Sequence, residues 1–119
     1  MKAFLIDPEV RVILEVNDDF NKLNLMQAAV EGHIELAGYI TGDDGRENIV
    51  WCDDEGLLKL QLVFTEIAKF PNPLAGRLLI LGSDGEGGNA DCTMTYEEVS
   101  SMVSFITIQD MKKNFLKNK

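Results

Sequence analysis

Few residues in this chain are able to do chemistry. His33 is the only histidine among 119 residues. One imidazole cannot build a histidine-based metal site, and no Cys-x-x-Cys pair accompanies it. As a general base it would need a nucleophile and an orienting group brought close by the fold. It directly follows Gly32, a glycine placed to end a helix, so a structural histidine is the simpler reading. Cys52 and Cys92 are the only thiols. Reactivity needs an electropositive setting, and Asp53, Asp54 and Asp91 push the other way. Both are expected to be unreactive free thiols in a reducing compartment.

The acidic turns Asp43-Asp44-Gly45, Asp53-Asp54-Glu55-Gly56 and Asp84-Gly85-Glu86 present oxygen ligands of the kind calcium takes. An EF-hand loop needs a glycine at its sixth position and a glutamate at its twelfth, and counting from Asp84 puts Asn89 and Thr95 there. The pattern fails, and aspartate with glycine is also what tight turns use. Gly82-Ser83-Asp84-Gly85-Glu86-Gly87-Gly88 follows a strand, as a phosphate loop would. It has neither phosphate-binding spacing nor a lysine, and its carboxylates would repel phosphate. It is still the best place for a binding edge, since permissive backbone at the end of a strand often carries function. The candidate ligand-binding residues are therefore His33, Asp84, Glu86 and Asn89. No catalytic residue, metal or cofactor is assigned. The 82–92 loop is expected to be mobile when free. The alternative is a chain of turns locked by Asp84 and Asn89 side chains.

These residues must be positioned by a small domain. The chain is 45% hydrophobic with a net charge of −9, from 20 acidic and 11 basic residues. The apolar fraction argues against disorder. The charge argues against direct nucleic-acid binding, because such a surface repels phosphate. The start, Ala3 to Ile6, is apolar for only four residues before Asp7-Pro8, too short for a signal segment. The later run Leu78 to Leu81 is strand-sized and far below a membrane span. A cytoplasmic location without membrane contact is expected.

Segments 3–6 and 11–16 read as strands joined by a tight turn at Asp7-Pro8. Phe20, Leu23, Met26, Ala29 and Val30 fall at helical spacing after the N-cap candidates Asn17-Asp18-Asp19, which predicts a helix over 19–31 ended by Gly32. Segments 33–40 and 48–52 read as strands, with 57–60 as a returning strand. Residues 61–70 suit either a helix or a strand and lean towards a short helix. Leu78 to Leu81 predicts a central strand buried on both faces. Thr95-Tyr96-Glu97-Glu98 is a capping-box pattern, and Val99, Met102, Val103 and Ile106 predict a helix over 96–108. The tail 109–119 could extend it through Met111 and Phe115.

Several segments, taken in order, resemble one family. They are Lys2-Ala3-Phe4-Leu5-Ile6-Asp7-Pro8, then Gly32-His33-Ile34-Glu35-Leu36, then Ile49 to Lys59, then Ala75-Gly76-Arg77-Leu78-Leu79-Ile80-Leu81-Gly82. They are similar to the opening, the "G-x-I-E" element, the "N-E-E-G-K-L-K" hairpin and the "I-x-G-x-x-x-I-x-G" strand of the DUF3846 family. The resemblance covers residues 2–105. After Lys59 the family's "G-L-P-x-N" stretch is replaced by Leu60-Gln61-Leu62-Val63-Phe64. The resemblance implies a source in phages, plasmids or other mobile elements. It brings no established activity and no catalytic residues.

The fold expected is a single α+β domain over 1–119: a mostly antiparallel sheet of about five strands with two main helices on one face. The expected core is Ile6, Ile13, Leu23, Met26, Val30, Ile34, Val50, Leu79, Leu81, Val99, Val103 and Ile106. The leading functional expectation is an accessory protein that binds a host or phage protein, or a small molecule, without catalysis. An enzyme or ligand-sequestering protein using the 82–92 loop and His33 is the alternative. An acidic decoy of a nucleic-acid-binding host protein is the other. Homo-oligomerisation stays open.

Overall fold

Leu78, Leu79, Ile80 and Leu81 are all completely buried. A strand apolar on both faces must be covered on both, and strand β6 (Leu78–Ser83) accordingly lies at the centre of the main sheet. The computed structural model describes residues 1–59 and 61–117. Strands β1 (Lys2–Asp7) and β2 (Val12–Asn17) form an antiparallel hairpin, and β1 pairs with β6. On the other side of β6 lies β4 (Glu47–Asp53), followed by β3 (Ile34–Thr41) at the edge. The order is β2-β1-β6-β4-β3, antiparallel throughout. A two-residue strand, β7 (Asn89–Ala90), folds back on the end of β6. The α+β class and the antiparallel sheet are as expected.

The placement of the helices differs from expectation. Leu79 and Leu81 face a cluster with Ala3, Phe20, Met26 and Val30, so helix α1 (Leu23–Val30) covers that side. Leu78 and Ile80 face the other way, with Phe4, Ile6, Val50, Met94 and Val99. That side is covered by helix α2 (Tyr96–Met102) and by a small second sheet of β5 (Val63–Ile67) and β8 (Val103–Thr107). The two helices therefore sit on opposite faces. The cause is β6 itself, whose two apolar faces each need a cover.

The second sheet also corrects two segments. Residues 61–70 contain a strand, not a helix, and the helix predicted over 96–108 stops at Met102. The two departures are one event: Phe64 pairs with Ile106 and Thr65 with Phe105 across the ladder. Val103, Phe105 and Thr107 alternate as well as they spiral, and a distant edge decided the matter. Residues 57–58 form part of a 3₁₀ turn, Gly56–Leu58, instead of a returning strand, and Leu60 lies outside the described residues. Helix α1 starts later than predicted. Lys22 occupies its N-cap position without a side-chain cap, and Leu23 is exposed instead of in the core. Phe20 is buried ahead of the helix.

Helix α1 ends on Glu31, in the left-handed region at φ 59°, and not on Gly32 as expected. Gly32 is needed for a different reason: a Cβ there would overlap the Asp53 carboxylate. Beyond β8, helix α3 (Ile108–Lys117) is capped reciprocally by Thr107 and Asp110. Among the described residues no helix is long and apolar enough to cross a membrane.

Candidate functional site

All the strands share two ends, and the acidic turns divide between them. At one end the loop following β3 and the loop following β6 face each other across an open cleft of about 720 Å³. Its walls carry Asp44 and Glu47 from one loop and Asp84 and Asp91 from the other. Among the described residues Arg46 is the one cation lining it, 3.6 Å from Asp44. Asp43 and Glu86 are exposed on the same two loops.

Both walls are held by their own polar groups. Asp84 Oδ1 accepts from the backbone N–H of Glu86 at 2.7 Å and of Gly88 at 2.8 Å. The Asp84 N–H in turn donates to the Gly88 carbonyl at 3.1 Å. Those N–H groups hold the Asp84 carboxyl below its ordinary value. Gly85 and Gly87 take φ of 81° and 88°, which an L side chain enters at a cost. An Asp84-bonded chain of turns is thus the geometry seen over 84–88. The other wall is tied to α2: Glu98 Oε1 accepts from Asp43 N–H at 2.7 Å while its Oε2 accepts from Thr95 N–H at 2.6 Å. The bonds from Asp43 first, then Thr95, hold Glu98 below its usual range. Buried Asn48 joins the walls, accepting from Thr93 N–H at 2.9 Å and donating to Thr93 Oγ1 at 2.9 Å.

The four candidate residues do not form one site. Asp84 lines the cleft, and Glu86 is exposed on the same loop outside the lining. Asn89, from the same loop, points inward. Its Oδ1 accepts from Trp51 Nε1 at 3.2 Å, and its Nδ2 donates to the Phe20 carbonyl at 3.0 Å. It pins β7 to the α1 side of the sheet. His33 lies at the opposite end, exposed, just before β3. Its carbonyl accepts from Asp54 N–H at 2.9 Å.

That opposite end is a clasp of paired charges. Asp53 is buried and bonded to Lys59, whose Nζ also donates to the Glu31 carbonyl at 2.8 Å. Burial alone would raise the Asp53 pKa. The Lys59 bond, the Glu55 N–H and the charges of Lys59 and His33 outweigh it and hold the carboxyl low. Arg77 reaches Asp7 at 3.2 Å and Glu31 at 2.8 Å. The groove between these pairs is only about 80 Å³. Sequence reasoning missed this cluster, because its members lie far apart in the chain.

Neither thiol is poised to react. Burial, then Glu35, Asp53 and Asp54, push Cys52 up to about 11, and burial raises Cys92. Both are free. Among the described residues no group of three or more His, Cys, Asp or Glu is arranged to hold a metal ion.

The order of these segments is that of a family. A model of the domain of unknown function DUF3846 matches residues 1–104. The chain belongs to the DUF3846 family. Within this DUF3846 fold, the stretches that carry the resemblance meet at the clasp: Asp7, Gly32-His33, Asp53 to Lys59 and Gly76-Arg77. Helix α3 lies beyond the matched residues. No curated protein and no solved structure matches the chain.

Proposed function

We propose that this DUF3846 protein acts without catalysis, by docking a basic partner protein in the acidic cleft between the 42–47 and 83–93 loops. The observation that carries the reading is the cleft's charge: four carboxylates line it against one arginine. Its walls are already ordered by Asp84, Asn48 and Glu98, so binding costs little further loop entropy. Unpaired carboxylates also raise the encounter rate with a basic surface. The protein serves a phage, plasmid or similar element in the cytoplasm of a host cell. A shared catalytic site for His33 and the 82–92 loop is disfavoured, because they stand at opposite ends of the sheet. A nucleic-acid-binding host protein is one partner such a surface fits, since its basic groove is built to meet phosphates.

The test is affinity capture from host lysate with the wild-type chain and with Glu47→Lys/Glu86→Lys. Both side chains are exposed and make no hydrogen bond or ion pair among the described residues, so the fold should persist. Basic proteins captured by the wild type at low salt, released by high salt and missed by the variant are the expected result. Equal capture by both chains would overturn the reading.

A further inference from the structure

The main sheet ends on a strand whose outer side is unpaired. β3 is bonded to β4, and two bonds just beyond its ends fix the phase of that ladder. Asp54 N–H donates to the His33 carbonyl at 2.9 Å, and Gly42 N–H donates to the Arg46 carbonyl at 3.1 Å. In an antiparallel pair, hydrogen-bonded and non-bonded residues alternate. Glu35, Gly38 and Ile40 therefore turn their backbone groups towards β4. Ile34 and Leu36, before the register shift at Ala37, and Tyr39 and Thr41, after it, turn theirs outward. Outside the ladder, none of these four has a backbone hydrogen-bond partner among the described residues. The register also fixes the side chains. Leu36 lies opposite Trp51 and Trp51 opposite Leu79, while Tyr39 lies opposite Ile49 and Ile49 opposite Leu81. Leu36 and Tyr39 thus share the face that α1 covers at Leu79 and Leu81, but at its outer margin they stay 44% and 50% exposed. Glu35, opposite Cys52, is exposed on the other face.

We propose that this edge takes an extended segment of the basic partner as an added strand, one that alternates apolar and basic side chains. The added strand rests on the reading of the acidic cleft as the partner's dock, and it specifies how the partner lies against the sheet. Outward N–H and C=O groups at alternate residues are met by an extended backbone. One side chain of the segment packs beside Leu36 or Tyr39, and the next, on the opposite face, reaches towards Glu35. Charge sets its sign. From His33 to Glu47 the chain carries four carboxylates, Glu35, Asp43, Asp44 and Glu47, against one arginine and no lysine. That arginine, Arg46, is already 3.6 Å from Asp44. β3 runs directly into the 42–47 wall of the cleft, so basic residues at that end of the segment continue into it. The same charges disfavour a second copy, since an antiparallel β3 would set its own acidic loop beside Glu35. The register shift at Ala37 divides the edge into two short pieces, a guard against aggregation along a long flat strand. The firmest pairing is therefore with Tyr39 and Thr41, next to the acidic loop. β2, the other edge, exposes one large apolar side chain, Leu14, and runs into neither wall of the cleft.

Amide hydrogen exchange of the full chain, read by NMR with end-blocked peptides of about ten residues, tests it. One peptide alternates valine and lysine. A second has the same sequence with every backbone amide N-methylated, so it has no N–H to give a ladder. A third holds lysine and arginine alone, with nothing apolar for Leu36 and Tyr39. With the first, exchange at the Tyr39 and Thr41 amides should slow about tenfold or more, and the 42–47 loop should shift. With the second and third, the cleft loops should shift while the edge amides exchange as in the free chain. Glu35→Lys, at an exposed position, should weaken the edge protection by the first peptide and leave the cleft shifts from the third unchanged. Cleft shifts without slowed exchange at Tyr39 and Thr41 would overturn the added strand and leave the cleft's role standing. So would equal protection by the N-methylated peptide, or protection at Ile13 and Glu15 of β2 instead. Edge protection that rises with protein concentration in the absence of peptide would give the edge to a second copy and also overturn it. No shift of the cleft loops with any of the three peptides would overturn the cleft's role and the added strand together.

Discussion

The two ends of the sheet both depend on carboxylates, and they treat them in opposite ways. At the clasp, Asp53 is buried against Lys59, and Asp7 and Glu31 share Arg77. At the acidic end, Asp84 and Glu98 are satisfied by backbone N–H groups, and among the described residues Arg46 is the one cation lining the cleft. Counter-ions neutralise a carboxylate, whereas N–H groups fix it in place and leave its charge on the surface. The clasp therefore neutralises its charges within itself, while the other end presents a fixed negative field. The lesson is that a count of acidic residues says little until each carboxylate's partner is known.

Removing the cation should break the clasp first. Lys59→Met leaves buried Asp53 without its counter-charge and should lower stability more than any change at the acidic end. Equilibrium denaturation reads this directly. A loss within experimental error would mean that the Glu55 N–H alone satisfies Asp53.

The next largest effect is expected where the acidic end meets α2. Thr95→Ala should cost about 1 kcal/mol, since Thr95 Oγ1 accepts from Glu98 N–H and the pair forms a full capping box. The change also frees Glu98, which holds the 42–47 loop, so amide exchange at Asp43 should speed up. An unchanged denaturant midpoint would show that the cap contributes nothing.

A smaller effect follows from pH. Asp53, Asp84, Glu98 and Asp110 are all held below their ordinary values. Depressed folded-state values give stability that is complete above the ordinary unfolded values of 3.8 for Asp and 4.5 for Glu, and lost as pH falls through the folded ones. The melting temperature should thus hold down to about pH 5 and drop below it. In Lys59→Met the acid-side drop should shrink, because its buried carboxylate no longer gains from ionising. A wild-type curve that rises towards pH 3 would contradict this.

Much of the fold was legible in short patterns. Leu78 to Leu81 announced a strand covered on both faces, and Thr95 with Glu98 announced the start of α2, because both signals are local. The β5–β8 ladder was not legible. Each strand carries a stripe that also fits a helix, and only the other's free edge, some forty residues away, selects the strand. Of the candidate residues picked from glycine-rich loop composition, Asp84 lines the acidic cleft and Glu86 is exposed on the same loop, and the Asp84-bonded turn was visible in the same residues. Asn89 and His33 were placed with them because nothing in the sequence shows which way a side chain points. The Asp53–Lys59 and Asp7–Arg77 pairs join residues 6 and 70 positions apart, and no spacing rule links them. The one available signal was the resemblance, whose separate segments all turned out to be neighbours at the clasp.

The most direct test of the division between the two ends is a titration of isotope-labelled protein with a lysine- and arginine-rich peptide, followed by amide chemical shifts. The account predicts salt-sensitive shifts confined to 42–47 and 83–93, with 53–59 and Gly76-Arg77 unmoved and the response abolished by Glu47→Lys/Glu86→Lys. Shifts of equal size at the clasp, or a response that the variant retains, would contradict it.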